Sequence, residues 1–440
     1  MFAVAEQSDH RRPYSHARVG RLDDPSTPPP IPEWINQHWF AMLHPGVTVI
    51  SPTVPSSPAD VVAAAESVAA EIATRADRHD REGSVSRANI DALWAAGIGS
   101  HTLAERFGGA GTDLRTVARA VRAIGSGDAS TALVWVMHLI YLRVLAGEEF
   151  GTAPAVRDRI FASSLTGPAL INALRVEPEL GTPARGGVPA TTARRTGEGW
   201  LLNGRKIFST GSHGLRWMVV WATTEDDPEG PRTGPFIVPA GAAGITIEET
   251  WDHLGMRASA SHDVLFSDTP IPLDHAAGLV PAGEPDTGLR TPQIMGTMIL
   301  LLLAVYDGVA WAARNWLVQY LNERTPTNLG KPLASLPRFQ AAVGEMDALL
   351  QANEWILDGL AADLDAGGHA AGRAGLAKVV VARNVIAVAE QAVALIGNPG
   401  LTRHNPLQRH LRDALCSRIH SPQDDTILTT AGRMSLERGG

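Results

Sequence analysis

A β-prone stretch at residues 173–211, flanked on both sides by sequence of helical periodicity, constrains the fold of this chain more than any other feature. It opens with a turn at Val176-Glu177-Pro178 and continues through a β-prone run at residues 200–210, which surrounds an Asn203-Gly204 pair. An Asn-Gly pair inside such a run is typical of a hairpin. We therefore predict a hairpin here and, around it, a small β-domain inserted between two helical halves.

The periodicity of the remaining sequence supports this division. Apolar residues recur at three- and four-residue spacing from Val61 to Ile72 and from Leu114 to Ile124, as in amphipathic helices. Short β-prone runs follow at residues 217–222, 236–238, 245–247 and 264–266, and helical patterns at 290–323, 337–366, 373–396 and 407–416. The predicted fold class is α+β. Its parts are a proline-rich N-terminal extension (1–58), an N-terminal helical domain (59–165), a middle β-domain (166–280) and a C-terminal helical bundle (281–440).

The composition excludes several classes of function. A net charge of −8 argues against a nucleic-acid partner, which requires a surplus of Lys and Arg to neutralise phosphates. The single cysteine, Cys416, excludes an intrachain disulfide framework, and the N-terminus lacks a signal pattern, so we expect a cytoplasmic protein. The longest apolar runs, at 129–146 and 294–305, fall short of the ~20 residues of a membrane span. We expect them to be buried core helices and predict no membrane span.

Several short motifs have the order and spacing found in the acyl-CoA dehydrogenase family, which the chain resembles over residues 59–435. They are Phe107-Gly-Gly-Ala-Gly, Glu177-Pro178, residues 204–210, Leu254-Gly-Met-Arg-Ala-Ser, Leu329-Gly-Lys-Pro and Arg412-Asp-Ala. The resemblance implies an N-terminal helical domain, an antiparallel β-domain and a C-terminal four-helix bundle that bind FAD. It also implies a small-molecule or acyl-thioester substrate, an electron-transfer partner, and a homodimer or homotetramer.

The same resemblance assigns flavin contacts to individual positions. Phe208 takes the place of the tryptophan that stacks beside the isoalloxazine ring, and Thr210 that of the threonine that hydrogen-bonds near N5. Considered alone, Thr210 is an ordinary strand threonine. The other implied cofactor-binding residues are Val176 near the ring, Thr182 near the pyrophosphate, Arg324 reaching a neighbouring subunit's FAD, Ser209, Gly397 and Gln423.

The catalytic base of the family is missing. Family members use a glutamate after the Arg-Asp-Ala motif to remove the α-proton of the acyl thioester, and Ser421 stands at its place here. A serine hydroxyl is too weak a base near neutral pH, because efficient general bases titrate close to the operating pH. The alternatives are His420, whose ordinary pKa suits the task, Asp424 or Asp425 turned inward, or a base from the helix that begins at Arg290.

A second chemistry is consistent with the loss of the glutamate. Some proteins of this fold, among them dibenzothiophene-type sulfur monooxygenases and amino-sugar nitrososynthases, lack this residue and use reduced flavin to activate O₂. The resemblance implies a C4a-hydroperoxide site formed by His138, Ser209 and His420. Each of the three also has a purely structural explanation: a core histidine, a strand serine and a charge at a helix C-terminus.

Three functional hypotheses follow. The first is α,β-dehydrogenation of an acyl thioester by an FAD enzyme with a nonstandard base, with His420, Ser421 and Arg290 as candidate catalytic residues. The second is a reduced-flavin monooxygenase, which would use FMN and a flavin reductase and would add His138 and Ser209 to the catalytic residues. The third is an inactive flavoprotein scaffold, because loss of the base is also how an enzyme loses its activity.

Overall fold

The computed structural model describes residues 55–180, 187–225, 227–228, 230–284, 291–368 and 370–437. The predictions for Thr182, for Arg290 and for the proline-rich residues 1–54 lie outside these ranges.

The N-terminal part of the described chain is helical. Its helices are α1 (Pro58–Glu82), α2 (Arg87–Ala95), α3 (Leu114–Gly127), α4 (Ala129–Ala146) and α5 (Pro154–Thr166). Helix α1 begins where the sequence signals favour it: the Ser57 side chain accepts a hydrogen bond from the Asp60 backbone N–H, and Pro58 occupies the first turn. It ends at Gly83, whose φ of 66° favours glycine.

The described residues in the middle of the chain form one sheet of eight strands. The strands are β1 (Leu170–Leu174), β2 (Thr192–Arg195), β3 (Gly199–Lys206), β4 (Leu215–Glu225), β5 (Arg232–Pro239), β6 (Ile245–Glu248), β7 (Asp263–Pro272) and β8 (Val280–Pro281). Their order is β6-β7-β3-β2-β4-β5-β8, and β1 pairs with β4. The α+β class is confirmed, but the sheet is mixed instead of purely antiparallel, because β1 and β2 both pair with β4 in parallel.

The predicted hairpin at Asn203-Gly204 is wrong, because β3 runs through both residues as one strand. Gly204 has a φ of 148°, and the register between β3 and β7 shifts between Leu202 and Gly204, as at a β-bulge. The Asn203 side chain bonds across the strands: its Nδ2 donates to Asp268 Oδ1 at 2.9 Å, and its Oδ1 accepts from the Asp268 backbone N–H at 2.8 Å. Pairing with β7 thus overrides the local turn preference of Asn-Gly.

The C-terminal part returns to helix, in α6 (Pro292–Glu323), α7 (Pro337–Asp365), α8 (Ala374–Ile396), α9 (Leu407–Ile419) and α10 (Asp424–Glu437). The long helix α6 is central, since it packs against α3, α7, α8 and α9. Glycine allows the close crossing of α3 and α6: a Cβ on Gly125 would lie 2.6 Å from the Val305 carbonyl oxygen. The helical halves therefore share one core that includes residues of both.

Length and composition alone do not exclude a membrane span, contrary to the sequence argument. Among the described residues, α4, α6 and α8 are each long and apolar enough to cross a bilayer. Within the fold, however, 83%, 78% and 50% of their most apolar windows are buried. Burial against other helices explains the apolar surface of α4 and α6, as predicted, and leaves half of that of α8 open.

Candidate functional site

A cavity of about 450 Å³ opens beside the end of β3. Residues from four segments line it: the turn after β1, the end of β3, the loop before β7 and the start of β7. They are Pro178, Arg205, Ile207, Phe208, Thr250, Trp251, His253, Ser261 and Asp263. The volume and the mixture of apolar walls with a few polar groups are typical of a small-molecule site.

Three aromatic rings form one wall of the cavity. Trp251 and His253 are stacked, with ring centroids 3.6 Å apart and planes 10° from parallel. Phe208 meets both edge-on, at 6.1 Å and 5.9 Å, and leaves 51% of its surface exposed. A large apolar ring that stays half exposed beside other rings provides a stacking surface for a planar ligand.

The backbone holds Phe208 in an unusual conformation. Its φ is 57°, which is uncommon for a residue with a side chain and marks a position that the surrounding structure must enforce. The enforcing contacts come from residues 259–262: the Ser209 N–H donates to the His262 carbonyl at 3.1 Å, and the Gly211 N–H donates to the Ser259 carbonyl at 2.8 Å. This fixes the segment that contains Phe208 and Thr210 against the start of β7.

A buried ion pair lies next to the residues that line the cavity. Lys206 Nζ lies 2.5 Å from Glu177 Oε1, with side-chain exposures of 0% and 4%. Glu177 also accepts hydrogen bonds from the Ala190 and Thr191 backbone N–H groups. Desolvation lowers the pKa of Lys206 to about 8. At Glu177, desolvation alone would raise the pKa of the carboxyl, but the charge of Lys206 and the hydrogen bonds that the carboxylate accepts outweigh it, so the pKa is lowered. The pair joins the turn at Pro178 to the end of β3, both of which line the cavity.

The charged groups of the cavity are paired with one another. Arg205 donates from Nε to Asp263 Oδ2 at 2.8 Å, and its NH2 group lies 2.9 Å from Glu248 Oε2. Asp263 also accepts from the Thr250 hydroxyl at 2.7 Å. These contacts form a polar rim in which Arg205 is paired with two carboxylates.

His420 and Ser421 follow α9 and lie on the helical half. The Tyr306 hydroxyl and His420 Nδ1 are 2.6 Å apart, and Tyr306 on α6 is 1% exposed. Desolvation, with a smaller effect of Lys378, lowers the pKa of His420 to about 4, and burial raises the pKa of Tyr306 well above its usual value. Both side chains are therefore neutral at pH 7. Ser421 is exposed.

The carboxylate of Asp424 is already bound. Lys378 Nζ lies 2.9 Å from Asp424 Oδ1, and it also donates to the Arg418 carbonyl at 3.2 Å. Lys378 is itself buried, so this pair anchors the chain on both sides of Ser421. Asp425 is exposed, and its Oδ1 accepts from the Thr426 N–H. The contacts of Asp424 and Asp425 do not support either residue as the missing base.

His138 and Ser209 are both fully buried. His138 Nδ1 accepts from the Ile171 backbone N–H at 3.3 Å, and its ring lies 5.1 Å from that of Trp94. Burial lowers the pKa of His138 to about 3. Within the described residues, His138 Nε2 and Ser209 Oγ have no hydrogen-bond partner. Neither residue, nor His420, is among those that line the cavity.

The remaining predicted cofactor residues divide between the two parts of the molecule. The Val176 carbonyl accepts from the Ile207 N–H at 2.9 Å, so Val176 lies next to the cavity wall. The other three are on the helical half and do not line the cavity: Arg324 is exposed at the end of α6, Gly397 follows α8, and Gln423 precedes α10. Their contacts with a cofactor remain predictions.

Five residues that line the cavity lie outside the predicted motifs and site: Thr250, Trp251, His253, Ser261 and Asp263. Trp251 and His253 directly precede the Leu254-to-Ser259 motif, and Ser261 follows it after one residue. The motif by itself predicts nothing about the residues that flank it. Only strand pairing between β3 and β7 brings these flanks beside Phe208.

The residues present fit a flavin. The cavity offers a half-exposed aromatic face at Phe208 and hydroxyls at Thr250 and Ser261, and the Ser261 hydroxyl is hydrogen-bonded to that of Thr210 at 3.0 Å. An isoalloxazine ring requires an apolar face and donors for its ring nitrogens and carbonyl oxygens. The cavity therefore contains the kinds of groups that a flavin ring requires.

Comparison with known proteins gives consistent matches. Models of the acyl-CoA dehydrogenase N-terminal, middle and C-terminal domains match residues 61–161, 175–269 and 300–433. A putative acyl-CoA dehydrogenase, YdbM of Bacillus subtilis, is 31% identical over 369 residues, which are 82% of this chain and 92% of that protein. An L-evernosamine nitrososynthase of Micromonospora is 29% identical over 367 residues, which are 80% and 83% of the two chains. The solved structure of KijD3 with FMN and dTDP-3-amino-2,3,6-trideoxy-4-keto-3-methyl-D-glucose is 27% identical, covers 89% of this chain and 97% of its own, and gives a TM-score of 0.74.

Proposed function

The chain belongs to the acyl-CoA dehydrogenase family, and from that premise we propose that it binds a flavin in the cavity beside Phe208 and works as a reduced-flavin monooxygenase. The observation that carries the flavin site is the half-exposed Phe208 ring, set edge-on to the Trp251–His253 stack in a cavity of about 450 Å³. Phe208 would stack on the ring system, and Thr210 would donate a hydrogen bond to it.

The choice of reaction depends on the protonation of His420. Tyr306 is buried and neutral, and His420 Nδ1 is the only acceptor that the described residues offer to its hydroxyl. A buried donor without an acceptor is costly, so the Tyr306 hydroxyl donates to Nδ1 and the imidazole proton lies on Nε2. His420 then presents an N–H donor and no free lone pair, which disfavours it as the base for an α-proton.

Without an available base, α,β-dehydrogenation lacks its proton acceptor, whereas oxygen activation does not need one. When bound, a reduced flavin supplies the electrons for activation of O₂. The protein's own part is to exclude water and to offer hydrogen-bond donors. The family resemblance assigns such a role to the Nε2–H of His420, which lies on the helical half and outside the residues that line the cavity. We propose an amine or thioether nitrogen or sulfur as the atom that is oxygenated, and FMN as the flavin. The nitrososynthase relative and FMN-bound KijD3 support this choice.

The second candidate is dehydrogenation of an acyl thioester by an FAD enzyme. It is favoured by the 31% identity to a putative acyl-CoA dehydrogenase over most of both chains. It requires a base that reaches the substrate from outside the groups described above.

One experiment separates the two candidates. Purified protein is loaded with FMN or FAD, and one portion is mixed anaerobically with acyl-CoAs of increasing chain length while the flavin absorbance is followed. A second portion is chemically reduced and exposed to ¹⁸O₂ with a panel of primary amines and thioethers, and products are analysed by mass spectrometry. We expect no bleaching in the first arm and one labelled oxygen in the product of the second. Bleaching of the flavin by an acyl-CoA, without labelled product in the second arm, would refute the monooxygenase proposal.

A Phe208→Ala variant tests the site itself. Removal of the stacking ring should weaken flavin binding by roughly tenfold or more, the factor expected for loss of an aromatic contact of about 1.5 kcal/mol. Phe339→Ala, a buried phenylalanine of α7, serves as a control for loss of an aromatic side chain elsewhere. Equal flavin affinity of the Phe208 variant and the unaltered protein would place the flavin elsewhere.

A further inference from the structure

The hydroxyls of Ser259, Ser261 and Thr210 form a hydrogen-bonded chain at the cavity. Thr210 Oγ1 lies 3.0 Å from Ser261 Oγ, which lies 2.8 Å from Ser259 Oγ. Ser261 lines the cavity, Ser259 is fully buried, and Thr210 is half-buried. The chain therefore runs from the buried Ser259 through Ser261, at the cavity wall, to Thr210, two residues after Phe208.

The number of protons sets the direction of this chain. Each hydroxyl has one proton and can accept from its neighbours. Among the described residues, Ser261 is the only hydrogen-bond partner of Ser259 Oγ, and a buried donor that lacks an acceptor is unfavourable. Ser259 must donate to Ser261, and within the chain the single proton of Ser261 can then be donated only to Thr210. The proton of Thr210 is left to donate away from the chain.

The opposite direction is disfavoured at its buried end. If Thr210 donated to Ser261 and Ser261 to Ser259, the proton of Ser259 would have no acceptor at a site with 0% exposure. The half-buried Thr210 is the end that tolerates a proton without an internal acceptor, because a ligand or water can accept it.

The backbone holds the three hydroxyls in register. Residues 209–211 are bonded to residues 259–262 through the Ser209 and Gly211 backbone N–H groups. Ala260 has a φ of 40°, which places Ser259 and Ser261 on one turn. The distances between the hydroxyls are thus set by the fold and not by free side-chain rotation.

We infer that Ser259 and Ser261 are positioning residues that orient the Thr210 hydroxyl as a hydrogen-bond donor toward an acceptor atom of the flavin bound beside Phe208. The identity of the acceptor rests on the proposed function, whereas the direction of the chain does not. Cooperative donation along the chain also strengthens the last bond, the one from Thr210 to the ligand. A donor at a flavin ring atom that gains electron density on reduction favours the reduced form.

The test uses full-length protein and four variants. Ser261→Ala interrupts the chain, Ser261→Thr restores the hydroxyl, and Thr210→Val removes the donor. Ser212→Ala is the matched control, because it deletes a buried hydroxyl of the same loop that lies outside the chain. The readouts are the flavin absorbance spectrum, the reduction potential of the bound flavin, its affinity, and unfolding of the flavin-free proteins in urea.

We expect Ser261→Ala to shift the flavin spectrum, to lower the reduction potential and to weaken flavin binding by about three- to tenfold, the range of one weakened hydrogen bond. Thr210→Val should have the larger effect, and adding Ser261→Ala to it should change the spectrum no further. Ser261→Thr should behave as the unaltered protein. Ser212→Ala should leave spectrum and potential unchanged. In flavin-free protein, the effects of Thr210→Val and Ser261→Ala on unfolding should be non-additive.

The failures are distinguishable. If the unaltered protein takes up no flavin, the proposed function is refuted together with the ligand assigned to Thr210. If, in addition, the effects of Thr210→Val and Ser261→Ala on unfolding are additive, the hydroxyl chain is refuted as well. If flavin binds but Ser261→Ala and Ser212→Ala shift the spectrum equally, the serine has only a structural role and the inference is overturned while the flavin site stands.

Discussion

The hydrogen bond between Tyr306 and His420 is the contact on which the proposed reaction depends. The buried Tyr306 and the partly buried His420, 2.6 Å apart and both neutral, define one proton arrangement, with the tyrosine as donor. The motif resemblance pointed to His420 but not to Tyr306, because 114 residues separate them in sequence. A helix pair, not a motif, brings them together.

Tyr306→Phe should release His420 from its fixed tautomer. We expect imidazole ¹⁵N NMR signals to change from a single Nε2–H form to a mixture of both tautomers, and oxygenation activity to fall by about fivefold, as for loss of one positioned hydrogen bond of about 1 kcal/mol. Tyr320→Phe, on the same helix but stacked on Trp316, is the control. An unchanged tautomer in the Tyr306 variant would contradict the assigned direction.

Lys206→Met should destabilise the protein strongly. It leaves the Glu177 carboxylate buried without its cation, which typically costs about 3–5 kcal/mol of unfolding free energy. Because the pKa of Glu177 is lowered in the fold, its contribution is present above its ordinary pKa and is lost as pH falls through the folded value. Urea unfolding at pH 7 is the measurement. Arg87→Met, which breaks the exposed pair with Asp91, should have little effect, and similar losses in both variants would argue against the role of burial.

At the scale of elements, β3 shows how a strand can override its own turn signal. Gly204 allows β3 to lie close to Thr191, the residue before β2. A Cβ at position 204 would lie 2.5 Å from Thr191 Oγ1 and 2.7 Å from its Cα. The bulge at this position lets β3 pair with β7 on one side and β2 on the other.

Gly204→Ala should therefore lower the free energy of unfolding by about 2 kcal/mol or more, since it adds a clash to a φ of 148° that disfavours a side chain. Gly197→Ala, where a Cβ meets nothing within 4 Å, is the matched control and should be nearly neutral. Thermal unfolding of both variants is the check. A neutral Gly204 variant would mean that the strands separate easily at the bulge.

Helix α6 has a buried carboxyl that should make stability depend on pH. Asp307 is 0% exposed, and desolvation raises its pKa to about 6, against smaller opposing effects of Asn353 and Arg122. A raised folded pKa means that its favourable contribution is complete below the ordinary pKa near 3.9 and is lost as pH rises through about 6. The groups that face it are Asn353 and Arg122, and Arg122 also pairs with Glu354.

The free energy of unfolding of Asp307→Asn should consequently exceed that of the unaltered protein by up to about 3 kcal/mol at pH 8. At pH 4 the two proteins should be nearly equal in stability. Urea unfolding at both pH values measures the difference. Asp413, whose pKa burial raises to about 7, contributes to both proteins and cancels from the comparison. A variant that gains no relative stability between pH 4 and 8 would show that Asp307 stays neutral throughout.

At the scale of the whole molecule, helix α8 leaves an apolar side exposed. Only half of its most apolar window is buried, and Leu376 and Val380 lie one turn apart with 43% and 44% exposure. Apolar stripes of this kind mark contacts between proteins when they extend over a helix face. A homo-oligomer was predicted from the resemblance, and this face is a candidate for its interface.

Val380→Asp should shift the protein to smaller species in analytical ultracentrifugation, because a carboxylate would be buried in the interface. Leu401→Asp, at an exposed leucine on the turn after α8, is the control and should leave the assembly unchanged. A protein that is monomeric before substitution would remove this interpretation of the α8 face.

The sequence by itself determined the α+β class, the placement of most helices and strands, and the family. These depend on local periodicity and on short motifs, and the bounds of α4 and the start of α7 agree with the predicted patterns. Phe208 was also identified from its motif, because the residues that define it are adjacent in the chain. Local patterns did not predict β1, β2, α5 or α10.

Only the tertiary structure decided what surrounds Phe208 and His420. Pairing of β3 with β7 brings Trp251, His253 and Ser261 to the cavity, turns the Asn-Gly pair into a bulge and makes the sheet mixed. Packing of α6 against α9 places Tyr306 on His420, and Lys378 binds Asp424. The physical reason is common to all of these: hydrogen bonds and pKa values depend on neighbours that are distant in sequence, and a one-dimensional pattern contains no distances between them.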